Sequence, residues 1–372
     1  MFESEFCLEE SIIHLNHAAV SPWPRCTVKA VKSFADENAS LGSRHYPDWV
    51  KTEQDLKEQL RQLINAQSCD EIALLKNTSE ALSTVAYGLS WARGDNVVIT
   101  SQEFPSNRIV WESLVKYGVA TRPADLDLDD SPEAAILACI DNDTRLVAVS
   151  SVQYGTGLRL DLERIGAHCH ERGILFCVDA IQSLGAVEVD VQACHADFVM
   201  ADAHKWMLGP EGIALFYCRS EAMERLDLKQ YGWHMVEDPG NYDRRDWEVA
   251  ASARRFECGS PNMTGVHALH ASLSLLHGVG MSTIEKLVME NSSYLIERLD
   301  QLGDYRLITP REAARHAGIV SFAPLNDKPE TLYARLVECN VLCAIRAGGV
   351  RFSPHFYTPR EKLDQALDLL NT

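Results

Sequence analysis

The chain has no apolar run long enough to cross a bilayer. The stretch ILFCV at residues 174–178 is among its longest and falls far short of the roughly 20 residues a spanning helix needs. No basic, then apolar, leader opens it. Met1-Phe2-Glu3-Ser4-Glu5 is acidic, so secretion is not expected and a cytoplasmic protein is. Positive charge is scarce: 35 Lys and Arg stand against 53 Asp and Glu, a formal net charge of −18. Nucleic acid and anionic membrane would repel such a chain overall, so neither is expected as a partner. A local basic site for a small anion stays open. Short paired cysteine spacings are missing too. The eleven cysteines, an odd number, fit free thiols in a reducing compartment. Cys339 and Cys343 have no second pair to complete a zinc site. His168-Cys169-His170 has metal-binding composition, but consecutive residues on a helix point in different directions and cannot share one ion. HExxH and GxxxxGK[ST] are both lacking, and no metal is expected.

What is present is a regular alternation. At 372 residues the chain exceeds what one compact core usually holds, so a large and a small domain are expected. Apolar runs at 96–100 (NVVIT), 146–152, 174–178, 197–201 and 213–217 read as buried strands, with helical patterns between them, as at 161–172. This order predicts an α/β fold with a mostly parallel, doubly wound sheet, whose ligands sit beyond the carboxyl ends of the strands. Residues 219–255 read as loop-rich. A long helical run at 265–302, strands at 318–322 and 350–353, and a last helix at 360–370 read as a smaller α+β unit. The division expected is a large domain of residues 15–255 and a small one of residues 1–14 and 256–372.

Three groups of residues stand where chemistry would be. Asp179 ends the strand at 174–178 and so falls at the ligand edge; its structural alternative is to cap a helix at residues 180–183. Lys205, in Asp202-Ala203-His204-Lys205-Trp206, follows the next strand. Burial there would lower its pKa and make it a nucleophile; otherwise it is an ordinary solvated lysine. Asn77-Thr78-Ser79-Glu80 opens a helical stripe (Leu82, Val85, Ala86, Leu89), a place for capping, for holding an anion, or for both.

Taken in order along the chain, these residues resemble the class V, or cysteine-desulfurase-like, branch of fold-type I pyridoxal-phosphate (PLP) enzymes. The resemblance runs from Leu15 to Leu370 and is carried by VDA-x-Q ending at Gln182 and by His204-Lys205. It implies PLP as cofactor, with Lys205 forming the Schiff base, Asp179 pairing with the pyridine nitrogen, and Gln182 bonding the ring oxygen. Thr78, Ser79 and His204 would hold the phosphate. Asp202 stands where many relatives have a phosphate-binding serine, and a carboxylate is unfavourable there. Phe104, in Glu103-Phe104-Pro105-Ser106-Asn107, would stack on the ring where desulfurases have histidine; it cannot move protons. Ser260 matches a residue lent to the neighbouring subunit's phosphate, which implies a homodimer with shared active sites.

On the substrate side, Arg351 matches the arginine that binds the α-carboxylate, with Arg346 a second candidate and a surface ion pair the alternative for each. Asn16 and His17 resemble the N-terminal substrate loop, and His17 is equally readable as structural. Tyr154, Trp233 and Arg44-His45-Tyr46 are further pocket candidates. Only Ala347-Gly348-Gly349-Val350 separates Arg346 from Arg351, which leaves no mobile loop for a persulfide-forming cysteine; Cys343 lies outside that context. The pattern is closer to isopenicillin-N-epimerase-like and C–S-lyase-like members. The expected activity is therefore an aminotransferase or C–S lyase on a small amino acid. An epimerase is the first alternative, and a non-catalytic sensor or scaffold on the same fold is the second.

Overall fold

A computed structural model describes residues 2–127 and 131–371; Met1 and Thr372, the outer ends of the expected small domain, lie outside them. The strands are β1 (Ile13–His14), β2 (Ile72–Leu75), β3 (Asn96–Thr100), β4 (Ala120–Ala124), β5 (Thr144–Ser150), β6 (Leu175–Asp179), β7 (Phe198–Asp202), β8 (Ala214–Cys218), β9 (Tyr305–Leu307), β10 (Val320–Pro324), β11 (Val341–Leu342), β12 (Ala344–Arg346) and β13 (Gly349–Phe352). The helices are α1 (Arg25–Leu41), α2 (Tyr46–Leu63), α3 (Thr78–Gly88), α4 (Pro105–Glu112), α5 (Pro132–Ala138), α6 (Leu162–Glu171), α7 (Ser220–Met223), α8 (Met263–Val279), α9 (Met281–Leu302), α10 (Pro329–Glu338) and α11 (Arg360–Asp368).

Seven strands form the main sheet in the order β2-β8-β7-β6-β5-β3-β4. The five from β7 to β4 are parallel, while β8 runs antiparallel to both its neighbours, β7 and β2. The runs read as continuous apolar segments because both faces are covered. Val98, Val147, Val149, Phe176 and Val178 enter one core layer. The alternate residues Val97, Ile99, Leu146, Ala148, Leu175 and Cys177 enter the layer on the opposite face. That is the period of two expected of a strand buried on both sides. The second sheet, β12-β13-β10-β9, is antiparallel, and its third core joins Val320, Phe322, Val350 and Phe352 to α9, α11 and the N-terminal Ile13 and Leu15.

Two expectations change. The helical run at 265–302 is two helices, broken at Gly280, whose φ of 88° no other residue type adopts at low cost. Residues 180–183 form a turn, not a helix, so Asp179 does not serve as a helix cap. That turn leads to Gly185, which has a φ of 96°; a Cβ there would lie 2.2 Å from the Trp206 carbonyl oxygen. Gly185→Ala is therefore expected to destabilise the fold by about 3 kcal/mol, read as a lower Tm by calorimetry; an unchanged Tm would show that the contact yields.

Candidate active site

The parallel strands deliver their last residues to one edge of the sheet. Asp179 ends β6 and Asp202 ends β7, and the chain reverses through residues 203–213 before returning as the antiparallel β8. Lys205 sits on that reversal. It is only 8 % exposed, and its Nζ makes no hydrogen bond or ion pair among the described residues. What it meets is the Phe104 ring, 5.6 Å from Nζ to the centroid. Burial pushes the Lys205 ammonium pKa down; Asp179 opposes this, and the Arg351 charge adds to it. Asp179 is buried and its pKa is raised, chiefly by desolvation. One carboxylate oxygen, Oδ1, accepts from the Ile181 N–H at 3.1 Å, and Oδ2 has no partner among the described residues.

Phe104 is held by a residue whose role sequence reading did not assign. Glu103 is buried three residues beyond the end of β3. It accepts hydrogen bonds from Thr100 Oγ1 (2.9 Å), Asn107 Nδ2 (2.9 Å), Ser150 N (2.9 Å) and Ser150 Oγ (2.5 Å). Burial raises its pKa against these donors. The network ties the start of α4 to the end of β5 and so fixes where the neighbouring ring stands. Tyr154 meets Phe104 edge-on at 5.1 Å. Its carbonyl accepts from Arg351 Nη1 at 2.8 Å, and Asn16 Oδ1 accepts from Nη2 at 3.5 Å. Arg351 is buried, its Nε has no partner among the described residues, and desolvation lowers its pKa to about 10.

Gln182 is buried between Ala18, whose carbonyl accepts from Nε2 at 3.0 Å, and Trp206, whose indole donates to Oε1 at 2.9 Å. One amide proton of Gln182 stays free. His17 has no free ring nitrogen: Nδ1 bonds the Ser353 carbonyl at 2.8 Å and Nε2 the Tyr357 hydroxyl at 2.6 Å. It pins the N-terminal segment to the C-terminal one, which is its structural reading.

At the start of α3 the arrangement is unexpected. The Thr78 N–H donates to Asp202 Oδ1 at 3.0 Å, and the Asp202 N–H donates to Thr78 Oγ1 at 3.0 Å. The Ser79 hydroxyl bonds Ser106 Oγ at 2.8 Å, so a serine the sequence reading passed over stands beside it. Desolvation raises the Asp202 pKa to about 6 and lowers that of His204 to about 4; His204 Nδ1 is buried without a hydrogen bond.

Other candidates lie apart. Ser260 is exposed, in a groove of about 300 Å³ with Lys76, Glu80 and Gln230. Trp233 packs with His234 and Tyr242 in the 229–250 loop, and Tyr46 packs on Trp49; no contact joins either to Lys205 among the described residues. In the metal-like triplet, Cys169 is in the core while His170 stacks on His195. A Glu53, His234 and Glu257 cluster already holds a cation, the Lys57 ammonium, 3.3 Å from Glu53 and 2.8 Å from Glu257.

The family model described as aminotransferase class-V matches residues 13–362. The chain belongs to that family. A probable cysteine desulfurase of Methanothermobacter thermautotrophicus is 32 % identical over 94 % of this chain and 92 % of its own length. An uncharacterised aminotransferase of Bacillus subtilis is 28 % identical over 91 % of this chain and 88 % of its own. The apo structure of a cysteine desulfurase from Thermococcus onnurineus superposes with a TM-score of 0.86 at 28 % identity, covering 96 % of this chain and 94 % of that one. A cystine C–S lyase complex, at 21 % identity and a TM-score of 0.90, shares the fold.

As a class-V aminotransferase family member, this chain is a PLP-dependent enzyme of the transferase or lyase type. Its residues suit the cofactor at the ring end, where a buried lysine without partners stands near a buried carboxylate with one oxygen free. At the phosphate end the fit is partial, because Asp202 occupies the Thr78 N–H.

Proposed function

We propose that this protein acts at Cα or Cβ of a small amino acid as an aminotransferase or C–S lyase, without forming a persulfide on a cysteine of its own. The observation that carries this is the desolvated Lys205, unpaired beside Asp179, with Arg351 held nearby and its Nε unused. In this reading Lys205 would attach the cofactor, Asp179 would hold a proton at its ring nitrogen, and Phe104 would cover the ring. Gln182 offers its free amide proton to the ring oxygen, and Ser79 and His204 Nδ1 serve the phosphate. The bound cofactor supplies an electron sink for a bond breaking at Cα. Arg351 takes the substrate carboxylate through Nε and its remaining Nη protons, with Asn16 and the Tyr154 carbonyl keeping the guanidinium in plane. Lys205 Nζ would be the base for the Cα proton, and its depressed pKa keeps more of it neutral near pH 7 than an exposed lysine would be.

Two features argue against the persulfide route suggested by the relatives named desulfurases. The tip between Arg346 and Gly349 is only Ala347 and Gly348, both at positive φ, a tight turn with no room for a cysteine loop. Cys343 is buried and its thiol pKa is pushed up to about 12 by desolvation, so it supplies almost no thiolate. The reading includes a cytoplasmic homodimer in which Ser260, exposed in its groove, completes the neighbouring subunit's phosphate site. It also includes the division of the chain at residues 255 and 256.

The test is incubation of the purified holoenzyme with a panel of amino acids, scored for keto acid, for pyruvate with sulfide, and for inverted chirality. Keto acid or pyruvate supports the proposal; alanine with sulfur left on the enzyme overturns it. Asp202 yields a separate expectation. Its pKa of about 6 makes it anionic above that pH, where it opposes a phosphate at α3. Asp202→Asn keeps the Oδ1 acceptor for Thr78 and removes the charge, so PLP affinity at pH 8 should rise on the order of tenfold, with little change at pH 5. Equilibrium dialysis of PLP at the two pH values measures it; weaker binding at pH 8 would show instead that the carboxylate helps to hold the phosphate.

A further inference from the structure

We propose, resting on the amino-acid reading above, that Arg346 binds an anionic group on the substrate's side chain, making this an enzyme for an acidic amino acid. The β12–β13 hairpin pairs Ala344 with Arg351, Ile345 with Val350, and Arg346 with Gly349. Side chains alternate along a strand, so Arg346 and Arg351 share one face as diagonal neighbours, about 7–8 Å apart at Cα and within reach of one bound molecule. Val350 and Phe352, on the opposite face, enter the small-unit core. The hairpin tip is seated on the segment that holds Arg351: a Cβ on Gly155 would lie 3.2 Å from Ala347 Cβ, and the preceding residue's carbonyl is the one Arg351 bonds. Arg346 thus stands at the rim of the site.

Arg346 is exposed, and among the described residues its one side-chain hydrogen bond is from Nη1 to the Ile345 carbonyl at 2.6 Å. Its charge reaches inward, adding to the lowering of both Arg351 and Lys205. Lys205, Arg346 and Arg351 have no ion pair among the described residues. The chain has 53 carboxylates for 35 Lys and Arg, so three bare cations in one place do not reflect a shortage of acids. Lys205 is consumed by the cofactor and Arg351 by the α-carboxylate. Arg346 is left without an anion unless the substrate brings a second one, a carboxylate or sulfinate beyond Cβ.

The experiment is a spectrophotometric titration of the holoenzyme's cofactor band with aspartate, glutamate, asparagine and glutamine. At least one acid should bind about tenfold more tightly than its amide, the scale of one charge-assisted contact at an open rim. In Arg346→Gln that ratio should fall to about one, and Arg346→Lys should keep part of it. Salt should shrink the ratio in the wild type. A wild-type ratio near one overturns the inference, as does an Arg346→Gln variant that loses acid and amide equally. A holoenzyme that responds to neutral amino acids without preferring acids overturns only this inference. A protein with no cofactor band, or one that no amino acid perturbs, overturns the amino-acid reading and this one with it.

Discussion

Lys205→Ala should purify without the visible absorption band expected of the wild-type holoenzyme, and its turnover should fall on the order of 10³–10⁴-fold. The band depends on covalent attachment at Nζ, and the fall reflects the loss of both the attachment point and the base that takes the Cα proton. Because Lys205 is buried without an ion pair, the same change removes a desolvated charge. The sign of the pH effect follows. The folded pKa of Lys205 is below the unfolded value of 10.5, so between the two the folded chain binds fewer protons. Stability of the cofactor-free wild type therefore rises with pH across that window, and Lys205→Ala should flatten that slope. Denaturant melts of both cofactor-free proteins from pH 7 to pH 10 check this. A band retained by the variant after dialysis free of amino acids would remove Lys205 from the centre of the site.

Arg351→Ala should keep the cofactor band and raise KM for the amino acid on the order of 10²–10³-fold, the scale of removing one partner of a desolvated, bidentate charge pair. It should also move the Lys205 titration upward, because the Arg351 guanidinium is one of the charges holding that pKa down. Denaturant melts of the cofactor-free proteins across pH 7 to pH 10 read the second effect independently of turnover. A band lost along with binding would mean that the cavity left by this buried side chain disturbs the site as a whole. Arg351→Lys, which keeps the charge but loses the bidentate fork, should then retain the band and show the KM effect alone.

Much of the ring end of the site was legible because it obeys local rules. A strand buried on both faces has to be apolar throughout, so β3, β5, β6, β7 and β8 stand out, and the residues after β6 and β7 fall at the ligand edge of a parallel sheet. The placement of Asp179 and Lys205 at that edge follows from this, while the roles expected of them came from the family resemblance. Ser106 beside Ser79, and the Ser150 donors to Glu103, do not follow from it: each contact joins segments whose distance apart only the folded chain sets. His17 illustrates the same limit. Its sequence position is compatible with a substrate contact or a structural one, and the Ser353 and Tyr357 partners that occupy both nitrogens lie more than 330 residues away.

What the chain's order of residues determined by itself was the class of fold, the strand-end positions of Asp179 and Lys205, and the short interval between Arg346 and Arg351. All of these are set by local burial and spacing. Tertiary structure alone decided the electrostatics. It placed the Asp202 carboxylate on the Thr78 N–H, left the Lys205 Nζ without a direct ion pair among the described residues, and brought Arg351 from the last strand to Asn16 near the first. The physical reason is that a pKa and an ion pair depend on desolvation and on distances through space, and neither is a property of residues in sequence.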